Sequence, residues 1–325
     1  MGGPMHIHIH NHIDGIDQPI QEAVWAAAGI QGHHVTFGVS AAEFAAAAPT
    51  VEILISPPWE LHKFDLFAAP RLRMVQSTSA GVDSLQPFDR IPARVLLVNN
   101  RGTHAEKAGE FALMAILMLV NLIPRFVTDQ RAERWARVTS GMAADHRLTI
   151  VGLGSLGGAA AAQSKRLGMK VTGIRNHAGV PHADCDRTLP PAALDEVLPE
   201  TDILLLAAPL TPATANLLSA ARIAALPAGA GVINMGRGGL VDQDALFDAL
   251  DTGRLSGAVL DVFRTEPIPP GDRAWGVRNL IITPHMSADN PVTYNADTLR
   301  IFAKNLAALL AGERPPTLVD RALGY

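Results

Sequence analysis

The stretch "RLTIVGLGSLGG", Arg147 to Gly158, decides how the chain is read. Its apolar start, Leu148 to Val151, predicts a buried strand, and the "GGAAAAQSKRL" that follows predicts a helix. Between them Gly152, Gly154 and Gly157 take the spacing G-x-G-x-x-G. Gly152 permits a tight turn, Gly154 lets the backbone come close to a pyrophosphate, and Gly157 lets helix and strand pack together. Ser155 and Leu156 open the helix, where N–H groups lack internal partners and carry the positive end of the helix dipole, so they suit phosphate. Strand, turn and helix in this order favour a dinucleotide cradle over a structural glycine-rich turn.

An acid about twenty residues further on would hold the two ribose hydroxyls of NAD. The chain instead reads "GIRNH", with Arg175, Asn176 and His177 at the end of the next strand. An Arg does the reverse of an acid: its fork grips a 2′-phosphate with charge-assisted bonds, and Asn176 and His177 add donors. The expected cofactor is therefore NADP (NADPH) in preference to NAD. The bland alternative is a solvated Arg at a strand end.

At 325 residues the chain exceeds one typical domain. The net charge of −4 comes from interspersed charges, so neither nucleic acid nor a membrane surface is an expected partner. Cys185 is the only cysteine, which fits a reducing cytoplasm, and no secretory signal opens the sequence. The longest apolar run, "FALMAILMLVNLI" from Phe111 to Ile123, is 13 residues. A bilayer span needs roughly 20, so a buried helix is expected.

Short apolar runs alternate with helical stretches twice over. "VEILISPP", "RLRMVQSTSAGVDSL" and "ARVLLVNN" lie in the first hundred residues. "RLTIVGLG", "MKVTGI", "TDILLLAAP", "GAGVINMG", "SGAVLDVF" and "NLIITPH" form a second series. Gly168 and Gly253 read as helix C-caps. Such alternation predicts an α/β chain of two Rossmann-like domains with doubly wound parallel sheets. "VTYNADTLRIFAKNLAALLAGERPP" reads as one amphipathic helix beyond the last strand, suited to packing back on the first domain. The start, "MHIHIHNH", alternates His with apolar residues. It is read as a strand with Ile7 and Ile9 inward and His6, His8 and His10 outward. No metal is assigned, because no acidic or Cys partner lies nearby.

Three later motifs each place one chemical group after a strand. "NMGRGG" carries Arg237, "DVFRTEP" carries Glu266, and "TPHMSA" carries His285. Ligands of open α/β sheets bind beyond the carboxyl ends of the strands, so the three converge on the edge that holds the cradle. The types suit reduction of a 2-oxoacid. Arg can hold carboxylate and ketone oxygens with its planar fork, a protonated His can supply a proton to the developing alkoxide, and a neighbouring Glu orients the ring and favours its charged form.

With the cradle, "APLTPATANLL", "VINMGRGGLVDQDAL", "GAVLDVFRTEPIPP" and "LIITPH" in this order, the sequence resembles the D-isomer-specific 2-hydroxyacid dehydrogenase family. It looks most like the branch of NADP-preferring glyoxylate and hydroxypyruvate reductases. The resemblance implies catalytic roles for Arg237, Glu266 and His285, a nicotinamide contact at Asp261, and further cofactor contacts at Pro209, Thr214, Met235 and Gly236. It implies that the backbone of Ala80, Gly81 and Val82 binds the substrate carboxylate and that Trp275 faces substrate. Trp59 of "SPPW" lies in the first 70 residues, which match the family poorly, and is read by position as a wall of the pocket, with a buried loop aromatic as the alternative. It also implies a homodimer paired through the cofactor domains. The substrate domain would combine residues 1–100 with 288–325, the cofactor domain would span 101–287, and the active site would lie in an interdomain cleft. Gly236 departs from the family's usual Ala or Ser. Three rival readings remain: a non-catalytic NAD(P)-sensing binding protein, a dehydrogenase of larger branched or aromatic 2-oxoacids, and a metal enzyme using the His-rich start.

Overall fold

A computed structural model describes residues 3–10, 22–26 and 31–325. They form two compact units, one of Met1–Thr103 with Asn290–Tyr325 and one of His104–Asp289.

The first unit is built on a five-stranded parallel sheet, β1 (His6–His10), β2 (His34–Gly38), β3 (Ile53–Ser56), β4 (Met74–Ser77) and β5 (Leu96–Val98), in the order β2-β1-β3-β4-β5. Parallel sheets are covered on both faces, and alternation along β3 shows it. Ile53 and Ile55 pack with Phe302, Leu306 and Leu309 of the helix Tyr294–Ala311, while Leu54 joins Phe44, Phe64, Val75 and Leu97 on the other side. Buried polar bonds tie the returning segment down. Asn100 Nδ2 donates to Thr298 Oγ1 (2.7 Å) and Asn305 Nδ2 to Gln76 Oε1 (2.8 Å).

Covering on both faces corrects the reading of the histidines. β1 lies inside the sheet, so His8 and His10 are buried, each 2 % exposed, rather than turned outward. His8 meets the ring of Phe44, and His10 stands edge-on to Phe64 at 4.4 Å with Nε2 3.7 Å from Glu60 Oε2. Only His6 is partly exposed, bonded through its two nitrogens to Thr50 and Thr36. His12 lies outside the described residues. Among the described residues, no group of three or more His, Cys, Asp or Glu is set to hold a metal ion. β2, in "HHVTFGVS", is an additional strand that the apolar-run reading passes over.

The second unit carries a seven-stranded parallel sheet: β6 (Arg147–Val151), β7 (Lys170–Ile174), β8 (Arg187–Leu189), β9 (Ile203–Leu206), β10 (Gly231–Asn234), β11 (Gly257–Leu260) and β12 (Leu280–Ile282). Its order is β12-β11-β10-β9-β6-β7-β8. The three-residue edge strand β8 adds one to the six anticipated; its polar residues give it no apolar run. Helices Ala105–Val120 and Ser155–Arg166 cover one face. The first buries Ala108, Phe111, Ala112, Ala115, Ile116 and Leu119, a helical three-and-four spacing. Gly109 lies at their contact, where an added Cβ would meet Ala159 Cβ at 3.4 Å, an ordinary van der Waals distance. Helix Gln243–Asp251 buries Leu246, Phe247 and Leu250 in the core of the opposite face. The fold is thus α/β and doubly wound. Among the described residues, no single helix is long and apolar enough to cross a membrane; Ala105–Val120 and Ile123–Arg131 pass such a test only as a pair bent by 64°.

Candidate active site

The strand order places the switch point between β6 and β9, where successive connections run to opposite sides of the sheet. The cradle leaves β6 there. Gly152 has φ +93°, and a Cβ on it would lie 2.7 Å from the Ala208 nitrogen beyond β9. At Gly157 a Cβ would come within 1.8 Å of the Gly152 carbonyl oxygen. Gly154, by contrast, caps the helix Ser155–Arg166 and has nothing within 4 Å of its Cβ position. Two glycines are required by close packing, and the third faces open space. That combination fits a bound pyrophosphate.

Arg175 follows β7 directly, its N–H bonded to the Leu189 carbonyl (3.0 Å). Its guanidinium has no hydrogen bond or ion pair among the described residues. Asn176 and His177 continue into an exposed turn. After β9, Pro209 and Thr214 belong to one closed turn, with Thr214 Oγ1 donating to the Pro209 carbonyl (2.7 Å).

Beyond β10, Met235 is buried and Gly236 runs close to the β9 exit; a Cβ there would sit 2.8 Å from the Ala208 carbonyl oxygen. In this chain the loop is packed where a Cβ would need its neighbours to shift. Arg237 is half-buried and donates through Nη1 to the Gly236 carbonyl (2.8 Å). Asn234, the last residue of β10, staples the loop: Nδ2 donates to the Arg237 carbonyl (2.9 Å) and Oδ1 accepts from the Gly236 N–H (3.1 Å). Gly238 then lies against the β11 loop, where a Cβ would come 1.9 Å from the Phe263 carbonyl carbon. Asn234 and Gly238 escape a reading by chemistry. Their only sequence signal is an Asn closing a strand before "GRGG".

Glu266 curls back on its own loop, Oε1 accepting the Phe263 N–H (2.7 Å), and Oε2 stands 2.6 Å from His285 Nδ1. His285, half-exposed, follows β12 with φ +53°, a left-handed conformation uncommon for a side-chain-bearing residue and favoured at functional loops. Asp261, 1 % exposed, holds it there. Its Oδ1 accepts from Thr283 Oγ1 (2.6 Å) and the Met286 N–H (2.9 Å), its Oδ2 from the Ser287 N–H (2.9 Å), and its carbonyl from the His285 N–H (2.9 Å). With its Nδ1 hydrogen engaged by Glu266, the neutral ring leaves Nε2 as the atom that can exchange a proton.

Trp275 is half-exposed, its indole N–H donating to the Pro269 carbonyl (2.9 Å). In the first unit, Ala80, Gly81 and Val82 follow β4, and their N–H groups have no acceptor among the described residues. Asn99 Nδ2 fixes this loop through the Ala80 carbonyl (2.8 Å). Trp59 follows β3 and is 59 % exposed.

A doubly wound sheet with a Gly-rich cradle at its switch point is the architecture of dinucleotide-binding proteins. The family described as D-isomer specific 2-hydroxyacid dehydrogenase, NAD binding domain, matches residues 113–287. The chain belongs to this family of NAD(P)-dependent enzymes. It is 30 % identical over 276 residues to a glyoxylate reductase of Korarchaeum cryptofilum, covering 82 % of this chain and 81 % of that one. A solved D-isomer specific 2-hydroxyacid dehydrogenase from Xanthobacter autotrophicus Py2, in complex with NADPH and MES, superposes with a TM-score of 0.83 at 30 % identity over the whole of both chains. An NADPH-dependent glyoxylate/hydroxypyruvate reductase from Sinorhizobium meliloti, in complex with NADP and sulfate, gives 0.80 at 27 % identity, again over both whole chains.

Proposed function

We propose that the chain reduces small 2-oxoacids, of the glyoxylate and hydroxypyruvate class, to D-2-hydroxyacids with NADPH. The reading is carried by the 2.6 Å contact between His285 Nδ1 and Glu266 Oε2, on the sheet edge shared by Arg237 and the cradle. The relatives named for glyoxylate reduction and the neighbour structures holding NADPH or NADP support it.

The residues present suit the dinucleotide. Gly152, Gly154 and Gly157, with the N–H groups of Ser155 and Leu156, would hold the pyrophosphate; Arg175, Asn176 and His177 would hold the phosphorylated ribose. Pro209, Thr214, Met235, Gly236 and Asp261 would line the rest. When bound, NADPH supplies the hydride. Arg237 grips the substrate's carboxylate and ketone oxygens and stabilises the charge that develops on the latter. His285 gives its Nε2 proton to that oxygen, and Glu266 keeps the ring in register through Nδ1. The N–H groups of Ala80, Gly81 and Val82 are the proposed seat of the substrate carboxylate, and Trp59 and Trp275 the proposed apolar walls.

A cofactor unit of residues 101–287 and a substrate unit of 1–100 with 288–325 belong to the same reading. So do a cytoplasmic setting, in line with Cys185 as the lone cysteine, and pairing of two copies through the cofactor units. Trp135, 99 % exposed on the His104–Asp289 unit, is an aromatic that such pairing would cover. Sedimentation velocity is expected to give twice the chain's mass. Initial rates with glyoxylate, hydroxypyruvate, pyruvate and phenylpyruvate, each with NADPH and NADH, test the function. Glyoxylate and hydroxypyruvate with NADPH are expected to lead; turnover led by phenylpyruvate would favour a dehydrogenase of larger acids.

A further inference from the structure

We propose that His182 is a further ligand for the 2′-phosphate of the dinucleotide, acting beside Arg175, Asn176 and His177 and admitted by Gly158. The proposal rests on the NADPH reading above.

Gly158 lies just beyond the three glycines of the cradle, and the turn does not need it. Its N–H already makes an internal helical bond to the Gly154 carbonyl (2.8 Å). A Cβ at Gly158 would stand 3.2 Å from His182 Nε2. Cα–Cβ bonds lean toward a helix's N-terminus. The imidazole therefore lies beside the helix's first turn, and the missing side chain leaves room for it.

The ring's tautomer follows from its neighbours. The Asp184 N–H donates to His182 Nδ1 (3.3 Å), so the neutral ring carries its hydrogen on Nε2. That donor has no acceptor among the described residues. The backbone of His182 is fixed as well: its N–H donates to Thr188 Oγ1 (3.0 Å), and its carbonyl accepts from the Cys185 N–H (3.1 Å). Thr188 is in β8, paired with Gly173 of β7, and the next residue, Leu189, accepts the Arg175 N–H (3.0 Å). Arg175 and His182 thus hang from the same pair of strands. Asp186, on the same segment, is neutralised by Lys165 Nζ at 2.6 Å. A 2′-phosphate offers three terminal oxygens. A bidentate Arg takes two, and an N–H at His182 Nε2 can donate to the third, each oxygen accepting more than one bond.

Fluorescence titration of the full chain with NADPH and NADH, and competition by adenosine 2′,5′-bisphosphate against 5′-AMP, test this. His182→Ala is expected to weaken NADPH and the bisphosphate about tenfold relative to NADH and AMP. Gly158→Ala, whose Cβ would press on Nε2 from 3.2 Å and shift the ring slightly, should have a smaller effect of the same selectivity, and His182→Gln, which keeps a donor, should recover part of the loss seen in His182→Ala. Equal weakening of NADPH and NADH, or none, in His182→Ala would overturn the proposal. If Arg175→Ala is selective for NADPH while His182→Ala is not, His182 alone falls. If the wild type does not distinguish NADPH from NADH, the underlying cofactor reading fails.

Discussion

Asp261 shows how one residue can organise a site without being its chemistry. An ionised carboxylate offers about four lone-pair sites, and three are taken by donors from the Thr283–Ser287 loop. The family resemblance assigns this position a nicotinamide contact; in the structure its carboxylate supports the His285 loop. The two roles separate kinetically. If Asp261 acts through His285, Asp261→Asn lowers kcat about 10- to 100-fold and leaves the NADPH Kd nearly unchanged, as misplacement of a catalytic group does. A raised Kd with kcat intact would mark a direct cofactor contact. Gly238→Ala is a structural counterpart. With its Cβ forced 1.9 Å from the Phe263 carbonyl carbon, it should lose roughly 2 kcal/mol or more in urea denaturation. Glycines whose backbone geometry excludes a side chain, such as Gly152, are readable from spacing alone. Asn234 and Asp261 are not, because their partners are fixed by loop geometry rather than by any local pattern.

At the scale of elements, apolar runs mark most of the strands because buried parallel strands are continuous in hydrophobicity. They miss β2 and β8, whose residues are mixed, and they misplace the β1 histidines. Alternation along β1 suggests one wet face, but Phe44 and Phe64 cover the face that carries His8 and His10. The burial has a pH consequence. Burial first, then the neighbouring His10 and His6, lower the His8 pKa from the ordinary 6.5 to about 4, although Glu43 opposes them. The unfolded chain takes up a proton near pH 6.5 that the folded one refuses. This contribution to stability is full above that pH, falls as pH drops toward about 4, and is then lost, a change on the order of 3 kcal/mol. Urea midpoints measured between about pH 7.5 and 4.5 should fall less steeply for His8→Gln than for the wild type. Parallel slopes would refute this account of His8.

For the whole molecule, the doubly wound class was legible because six apolar runs alternate with helical stretches behind one cradle. The return of the helix Tyr294–Ala311 to the first sheet was suggested by its amphipathic pattern and its position after the last strand. It is secured by polar pairs such as Asn305 with Gln76, far apart in sequence and invisible to periodicity. Substrate choice is less legible, since one methylene in a pocket wall is worth only about 1–3 kcal/mol.

The central claim is that His285, oriented by Glu266, is the acid that completes reduction of a 2-oxoacid. The most direct measurement is NADPH oxidation by the wild type and by His285→Ala with glyoxylate or hydroxypyruvate, alongside NADPH binding by each. The predicted result is wild-type turnover, a loss of about 10²- to 10⁴-fold in kcat for the variant, and a nearly unchanged NADPH Kd. Turnover by His285→Ala at the wild-type rate, or NADPH binding lost together with activity, would contradict it.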